Sequence, residues 1–197
     1  MSVRQSLLAI LDQGPCYGYQ LRAEFDRRTG STWPLNVGQI YNTLERLERD
    51  GMVRKGDVDD QGHVYYSITD AGRDEVRGWL DSPVSQQGGT RDELPIKLAL
   101  AATLPGVDVA AVMRRQRETS LAALEGLRAA RPPSTTGGED LAAALVADAL
   151  IFRAEAEVRW LDHVASQLLA GAPHTRELTL SAQTPRRGRP PRAEQAA

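Results

Sequence analysis

The residues best suited to chemistry in this 197-residue chain lie between Asn36 and Gly51, and the chemistry is recognition. Val37, Ile40, Leu44 and Leu47 recur at the spacing of one helical face. At about 100° per residue, the opposite side carries Gly38, Asn42, Glu45, Arg46 and Arg49. Gln39 and Tyr41 flank that side near its N-terminal end. Asparagine and glutamine amides can pair with adenine edges, and arginine with guanine or phosphate. Gly38 allows close backbone approach, and a helix N-terminus favours a phosphate. Asn36 stands at that end as the expected N-cap and among the candidate DNA-facing residues. The competing reading is an ordinary solvated helix face.

The surrounding elements must position that helix. Val3, Leu7, Ile10 and Leu11 define a first helix, stopped by Gly14-Pro15. Residues 17–28 read as a second, with Leu21 and Phe25 inward and Gly30 beyond its end. The third follows Asn36 and closes at Gly51. Residues 52–55 and 63–68 are short and β-prone, separated by the polar 57–62, which is a hairpin signature. Such a hairpin is marginal alone, so it must lie on the helices. Thr69-Asp70-Ala71-Gly72 opens a fourth helix reaching about Leu80. Three helices and a hairpin outline a winged helix-turn-helix, which lays its third helix in the major groove and its wing on the backbone. Arg54, Lys55 and His63 are the wing candidates for DNA, and Tyr19 is a further one on the second helix.

Several segments carry a family resemblance. Gly38-Gln39-Ile40-Tyr41-Asn42-Thr43-Leu44-Glu45-Arg46-Leu47-Glu48-Arg49-Asp50-Gly51-Met52-Val53 resembles the signature of the PadR family of bacterial transcriptional regulators. Tyr17-Gly18-Tyr19-Gln20-Leu21, Arg54, the strand Tyr65-Tyr66-Ser67-Ile68-Thr69 and Thr69-Asp70-Ala71-Gly72 agree with it in order. Leu94-Pro95-Ile96-Lys97-Leu98 resembles the start of the helical C-terminal domain of the longer PadR-like proteins. The resemblance implies a dimeric regulator, usually a repressor, often released by a small effector, with Gln39 and Tyr41 at the DNA.

The expected fold is therefore mainly α. Residues 1–82 form the winged helix-turn-helix with a two-stranded wing, 83–93 a linker, 94–172 an all-α dimerisation and effector domain, and 173–197 a disordered basic tail. The helix expected over residues 139–170 has two apolar stripes. One runs Leu141, Leu145, Ala149, Phe152, Ala156, Trp160, and the other Ile151, Ala154, Val158, Leu161, Ala165, Leu168. One stripe suffices for its own domain, so the second calls for a partner subunit or for burial between neighbouring helices. Trp79, Phe152 and Trp160 are candidates for a pocket taking a small apolar or aromatic effector, against the plainer reading of core packing.

Composition narrows the alternatives. The chain is 41% hydrophobic and 25% charged, with a formal net charge of -2, so it is no indiscriminate polyanion binder. Residues 1–82 carry 10 Lys and Arg against 13 Asp and Glu. That acidic balance leaves a second function class open, a winged-helix module for protein contact with no DNA duty. No apolar run is long enough to span a membrane, no signal peptide is evident and Cys16 is the single cysteine, which together suggest a cytoplasmic protein. An enzyme is not expected. His63, His163 and His174 show no metal-ligand spacing, so no metal or cofactor is implied. Asp162 and His163 point about 100° apart on a helix. Cys16 reads as a small core residue, with a redox role the alternative.

The tail is the exception to the acidic balance. Residues 183–197 carry four arginines against Glu194. Arg187-Gly188-Arg189-Pro190 resembles the core of an AT-hook. Glycine lets such a chain lie flat in a narrow groove, proline keeps it extended, and Arg187 and Arg189 can reach along an A·T-rich minor-groove floor. A solvated tail that aids solubility is the alternative.

Overall fold

The structure, a computed structural model, describes residues 2–84, 93–132, 138–170 and 177–182. Its elements run α1 (Ser2–Leu11), β1 (Cys16–Tyr17), α2 (Gly18–Arg28), α3 (Val37–Arg49), β2 (Val53–Val58), β3 (Val64–Ile68), α4 (Asp70–Asp81), α5 (Glu93–Thr103), α6 (Val109–Ala129) and α7 (Gly138–Ala170). Among the described residues two compact units result, residues 2–76 with 179–182, and residues 77–178. The division falls inside α4, a few residues before the expected boundary at residue 82.

In the first unit Leu7, Leu8, Leu21, Phe25, Ile40 and Leu44 are fully buried. Burying Ile40, Leu44 and Leu47 alone holds α3 down by roughly 5 to 9 kcal/mol. The helix ends as its sequence dictates. Gly51 takes φ +73°, Met52 N–H reaches Leu47 O at 2.8 Å and Gly51 N–H reaches Glu48 O at 2.9 Å, the paired bonds of a Schellman cap. β2 and β3 pair antiparallel, with Arg54 opposite Ser67 and Lys55 opposite Tyr66. A third strand joins them that periodicity could not reveal, because β1 is two residues long. Cys16 and Tyr17 pair with Tyr66 and Tyr65, giving the order β1-β3-β2.

One contact locks α3, the wing and α4 together. A Cβ on Gly72 would stand 2.3 Å from Met52 O and 2.7 Å from the Ile68 side chain. Thr69 secures the same junction. Its Oγ1 accepts from Gly72 N–H at 3.2 Å and lies within donating distance of Gly51 O and Met52 O.

Among the described residues of the second unit, every regular element is a helix. Asp108 caps α6 by accepting from Ala111 N–H at 2.9 Å. Arg117, Arg128 and Arg131 pair in turn with Asp162, Glu155 and Asp148, so α6 and α7 run antiparallel. The two expected stripes of α7 separate except at Trp160, which packs on the buried cluster of the second. Ile151, Ala154, Val158 and Leu161 are buried in clusters with Leu124, Val112 and Met113, whereas Leu141, Leu145 and Phe152 are 59%, 61% and 66% exposed. Lys97 is the one buried lysine among the described residues. Its ammonium bonds Ser82 O and sits 5.8 Å from the Trp79 ring centroid.

The expected linker lies largely outside the described residues, as do residues 183–197 with Arg187, Gly188 and Arg189. Residues 177–182, within the stretch expected to be disordered, are instead held by backbone hydrogen bonds of Leu178, Thr179 and Ser181 to the rest of the chain.

Two measurements check these packing arguments. Gly72→Ala should destabilise the protein by about 2 to 3 kcal/mol, because the methyl group meets a backbone carbonyl that cannot yield, and denaturant unfolding would read it. Burial lowers the Lys97 pKa from 10.5 to about 8. Between those values the unfolded chain holds more protons, so stability contributed by this group rises with pH across that window. Lys97→Met should remove that rise when unfolding is followed from pH 7.5 to 10.5.

Candidate nucleic-acid interface

α3 presents a sharply divided surface. Ile40, Leu44 and Leu47 are buried, while Gly38, Gln39, Asn42, Glu45, Arg46 and Arg49 are exposed on the other side. Asn36 caps the helix. Its Oδ1 accepts from Gln39 N–H at 2.8 Å, and Gln39 Oε1 accepts from Asn36 N–H at 3.2 Å. This reciprocal capping box satisfies two donors that a helix start otherwise leaves open. It also occupies the Gln39 side-chain oxygen. To offer both amide atoms to an adenine, Gln39 must release the cap. Asn42 carries no such duty in the capping box and stands one turn further along the exposed face.

Tyr41 lies on the flank. Its ring fills the space over Gly18, where a Cβ would stand 2.7 Å from Cζ and 3.0 Å from the hydroxyl oxygen. Glycine at position 18 therefore lets α2 and α3 approach closely. Tyr41 and Tyr19 are both half-buried, so each covers the core rim while keeping part of its ring at the surface. At the far end, Arg49 pairs with Asp50 at 3.0 Å, and Asp50 also accepts Arg4 at 2.8 Å. Those two ion pairs hold Asp50 below the usual carboxylate range, with the hydrogen bond from Arg49 the larger cause.

On the wing, Arg54 and Lys55 are exposed on β2, as expected. His63 is not a surface cation. It is 8% exposed, and its ring stacks on Tyr17 with centroids 4.3 Å apart. Its Nδ1 lies 3.1 Å from Asp59 Oδ2. The same carboxylate accepts Gln61 N–H at 2.9 Å and His63 N–H at 2.8 Å. Asp59 is thus the organiser of the wing turn. Hydrogen bonding, first from the His63 backbone, keeps it ionised to lower pH than usual. The polar turn containing Asp59 was visible in the sequence, but only the fold places His63 against β1.

A second feature escaped sequence reading. Glu24 and Arg28 form an ion pair whose side chains are 1% and 0% exposed, with Nη2 to Oε2 at 3.3 Å. Cys16 stands near it and is fully buried. Burial and the Glu24 charge push its thiol up to about 12, so it stays protonated at neutral pH and does not act as a nucleophile.

In the second unit the three aromatic candidates do not converge. Trp79 is half-buried with its indole N–H on Glu93 Oε1 at 3.1 Å. Trp160 packs on the cluster of Leu94, Leu98 and Leu161, whereas Phe152 faces outward. None of them lines the apolar cavity of about 480 Å³ bounded by Val107, Val109, Met113, Leu161, Ala165 and Leu168, with Arg114 and Arg117 at its edge. The helical period of α7 explains the separation. Phe152 lies on the stripe turned away from α6. Among the described residues no helix is long and apolar enough to cross a membrane.

Known proteins resemble this chain along most of its length. Residues 7–78 match the model of the transcriptional regulator PadR-like family, and residues 90–168 that of the virulence activator alpha C-terminal domain. A Mycobacterium tuberculosis protein described as a probable transcriptional regulator, Rv1176c, is 31% identical over 85% of this chain and 98% of its own length. The negative transcriptional regulator PadR of Bacillus subtilis is 23% identical over 84% of this chain and 97% of its own. Among solved structures, Bacillus subtilis PadR in complex with operator DNA is 22% identical, covering 85% of this chain and 99% of that one, with a TM-score of 0.40. The Vibrio cholerae virulence activator AphA is 23% identical over 87% and 100%, with a TM-score of 0.37. The chain belongs to the PadR-like family of transcriptional regulators.

Proposed function

We propose that this regulator binds an inverted-repeat operator as a homodimer and represses from it, reading bases with α3 and gripping the backbone with the wing. The observation that carries the reading is the divided surface of α3. Three buried leucine and isoleucine side chains fix the helix, and Asn42, Arg46 and the N-terminal turn are left outward. Residues 1–82 are the DNA-binding part and residues 94–172 the dimerisation part. The exposed stripe of α7 supports the dimer, since Leu141, Leu145 and Phe152 form an apolar surface that a second copy would cover. Repression follows the one relative named as a negative regulator. A small apolar or aromatic effector is the natural release signal, and the cavity beside Met113 and Leu161 is large enough for one.

The tail belongs to the same reading. Arg187, Gly188 and Arg189 enter an A·T-rich minor groove beside the half-site, adding cations to a unit whose own balance is acidic. That acidic balance also favours the competing module for protein contact, and salt separates the two. Phosphate contacts weaken steeply with salt, whereas an apolar protein interface hardly responds.

Base reading is tested on an operator selected from random DNA with purified protein. Asn42→Ala should cost roughly 1 to 3 kcal/mol and relax one position. Gln39→Ala should cost affinity and also remove the side-chain bond to Asn36 N–H while leaving the Asn36 Oδ1 cap, about 0.5 to 1 kcal/mol in the free protein, which thermal melting followed by circular dichroism would register. Arg54→Ala should weaken all sequences alike and flatten the salt slope by about 1. An unchanged selected sequence for Asn42→Ala would remove α3 as the reader. For the dimer, the double substitution Leu145→Glu, Phe152→Glu should weaken association by at least about 100-fold, since each change counts twice in a two-fold interface. Sedimentation at micromolar concentration would read it, and a wild-type monomer there would sink the proposal.

A further inference from the structure

The outward face of α3 carries one charge that its proposed base contacts leave unused. The row along that face runs Gly38, Asn42, Glu45, Arg49. Glu45 is exposed and has no ion-pair partner among the described residues. Its usual partner would be Arg49, one turn further along the helix. Arg49 is engaged elsewhere. Its Nε and Nη2 lie 3.1 and 3.0 Å from Asp50 Oδ1, and Asp50 is held in turn by Arg4 at 2.8 Å. Arg46 is next in sequence to Glu45 and leaves the helix about 100° away from it.

Glu45 thus stands apart from most acids of its unit. Glu24, Asp50 and Glu75 are held by arginines, and Asp59 by the wing turn. Glu48, the other glutamate of α3, lines a groove with Arg54 and Lys55. Burial, and then the charges of Glu48, Tyr41 and Glu45, push the Tyr66 hydroxyl up, which places Glu45 toward the β3 edge of the outward face. A bare carboxylate turned to a polyanion weakens binding to every sequence. Only a base that donates a hydrogen bond offsets that cost. An ionised carboxylate accepts and never donates. Guanine presents N7 and O6 acceptors in the major groove and thymine presents O4, so both repel it. Adenine donates from N6 but sets the N7 acceptor beside it, whereas cytosine presents its N4 amino group as a donor alone.

We propose that Glu45 is a specificity-determining residue that accepts from the N4 amino group of a cytosine and rejects other bases at that position. The proposal rests on α3 being the helix that reads the operator. Asn42 and Glu45 are three residues apart, about 4.5 Å along the helix, against about 3.4 Å per base-pair step. The cytosine therefore lies within about two base pairs of the position that Asn42 reads. Glu45 acts mainly by exclusion. Its one hydrogen bond to cytosine adds modest affinity, while its repulsion from acceptor edges and phosphates lowers binding everywhere else. The tied acids of the unit do not oppose DNA in this way, so the single free one on the outward face discriminates where they cannot.

The experiment selects bound sequences from random duplex DNA with four full-length proteins: wild type, Asn42→Ala, Glu45→Ala and Glu45→Gln. Affinities for the wild-type operator and for random duplex are then measured with each. Both Glu45 variants should melt at the wild-type midpoint, since the side chain is exposed. Glu45→Ala should lower affinity for the operator by about tenfold, raise affinity for random duplex by about threefold, and relax one cytosine. Glu45→Gln keeps the shape and adds an amide that pairs with adenine N6 and N7, so its selected base should change from cytosine to adenine. If Asn42→Ala relaxes a position while both Glu45 variants select the wild-type sequence, the cytosine contact is overturned and α3 remains the reader. Equal losses of Glu45→Ala on operator and random duplex also overturn it, because a structural role acts on all DNA alike. If none of the three variants moves the selected sequence, α3 is not the reader and the Glu45 proposal falls with that reading.

Discussion

The close seating of Gly72 on the Met52 carbonyl is the contact from which the rest of the DNA-binding unit takes its geometry. A side chain there would force α4 away from the start of β2, and β2 begins only two residues after the cap of α3. The Thr69 hydroxyl and the left-handed Gly51 act at the same corner. α3, the wing and α4 are thus tied at their junction by three small residues, while the buried face of α3 holds the helix down. The position of Arg54 relative to Asn42 inherits its precision from that corner. This is why an interface of exposed polar side chains can be held in a single register, since the buried face of α3 and the close backbone contacts at the corner beneath it both support it.

Electrostatics follow a different logic. A unit with more carboxylates than cations must keep its acids from opposing phosphate. Here many of them are occupied internally. Asp50 and Glu75 accept Arg4, Asp12 accepts Arg73, Asp59 binds the wing turn, and Glu24 is buried with Arg28. The exposed pairs among these add little stability each. Their consequence is spatial. Arg46, Arg54 and Lys55 remain exposed on elements that a winged helix turns to DNA, while acidic partners are drawn toward α1, α2 and the turn.

Much of this was legible in the sequence, and the failures have physical causes. Helical periods located α1 to α4 and α7 to within about two residues, because a buried face repeating every 3.6 residues leaves a long record. The Asn36 cap and the Gly51 stop were readable for the same reason, as local chemistry with local signals. The two stripes of α7 were also separable by period alone. β1 was not, since two residues carry no period, and its pairing to β3 is a tertiary fact. His63 looked like a wing cation because its burial depends on Tyr17, nearly fifty residues earlier. Phe152 and Trp160 looked like one pocket because both are aromatic on one helix, yet α6 covers only one side of it. The ion pair of Glu24 and Arg28 had an ordinary i, i+4 spacing that usually marks a solvated surface. Burial alone distinguishes it.

The segment after α7 exposes the same boundary between local and non-local information. Its composition, Pro173, His174, Thr175, Arg176 and Glu177, gives no periodic signal, and composition alone argues for an unstructured chain. Order at Thr179 to Ser181 arises because the receptor is buried elsewhere. Glu24 needs a second donor, and Gly14 has no side chain where Leu180 comes to rest. A short extended peptide can satisfy both at the cost of ordering only a few residues, about 1 to 2 kcal/mol each for the backbone. A hydrogen bond to a charged acceptor contributes about 1.5 to 3 kcal/mol, and the apolar contact of Leu180 adds to it. The two sides nearly balance. A segment so poised is held by a few contacts and is sensitive to the loss of one, in a way that a helix buried along its whole length is not.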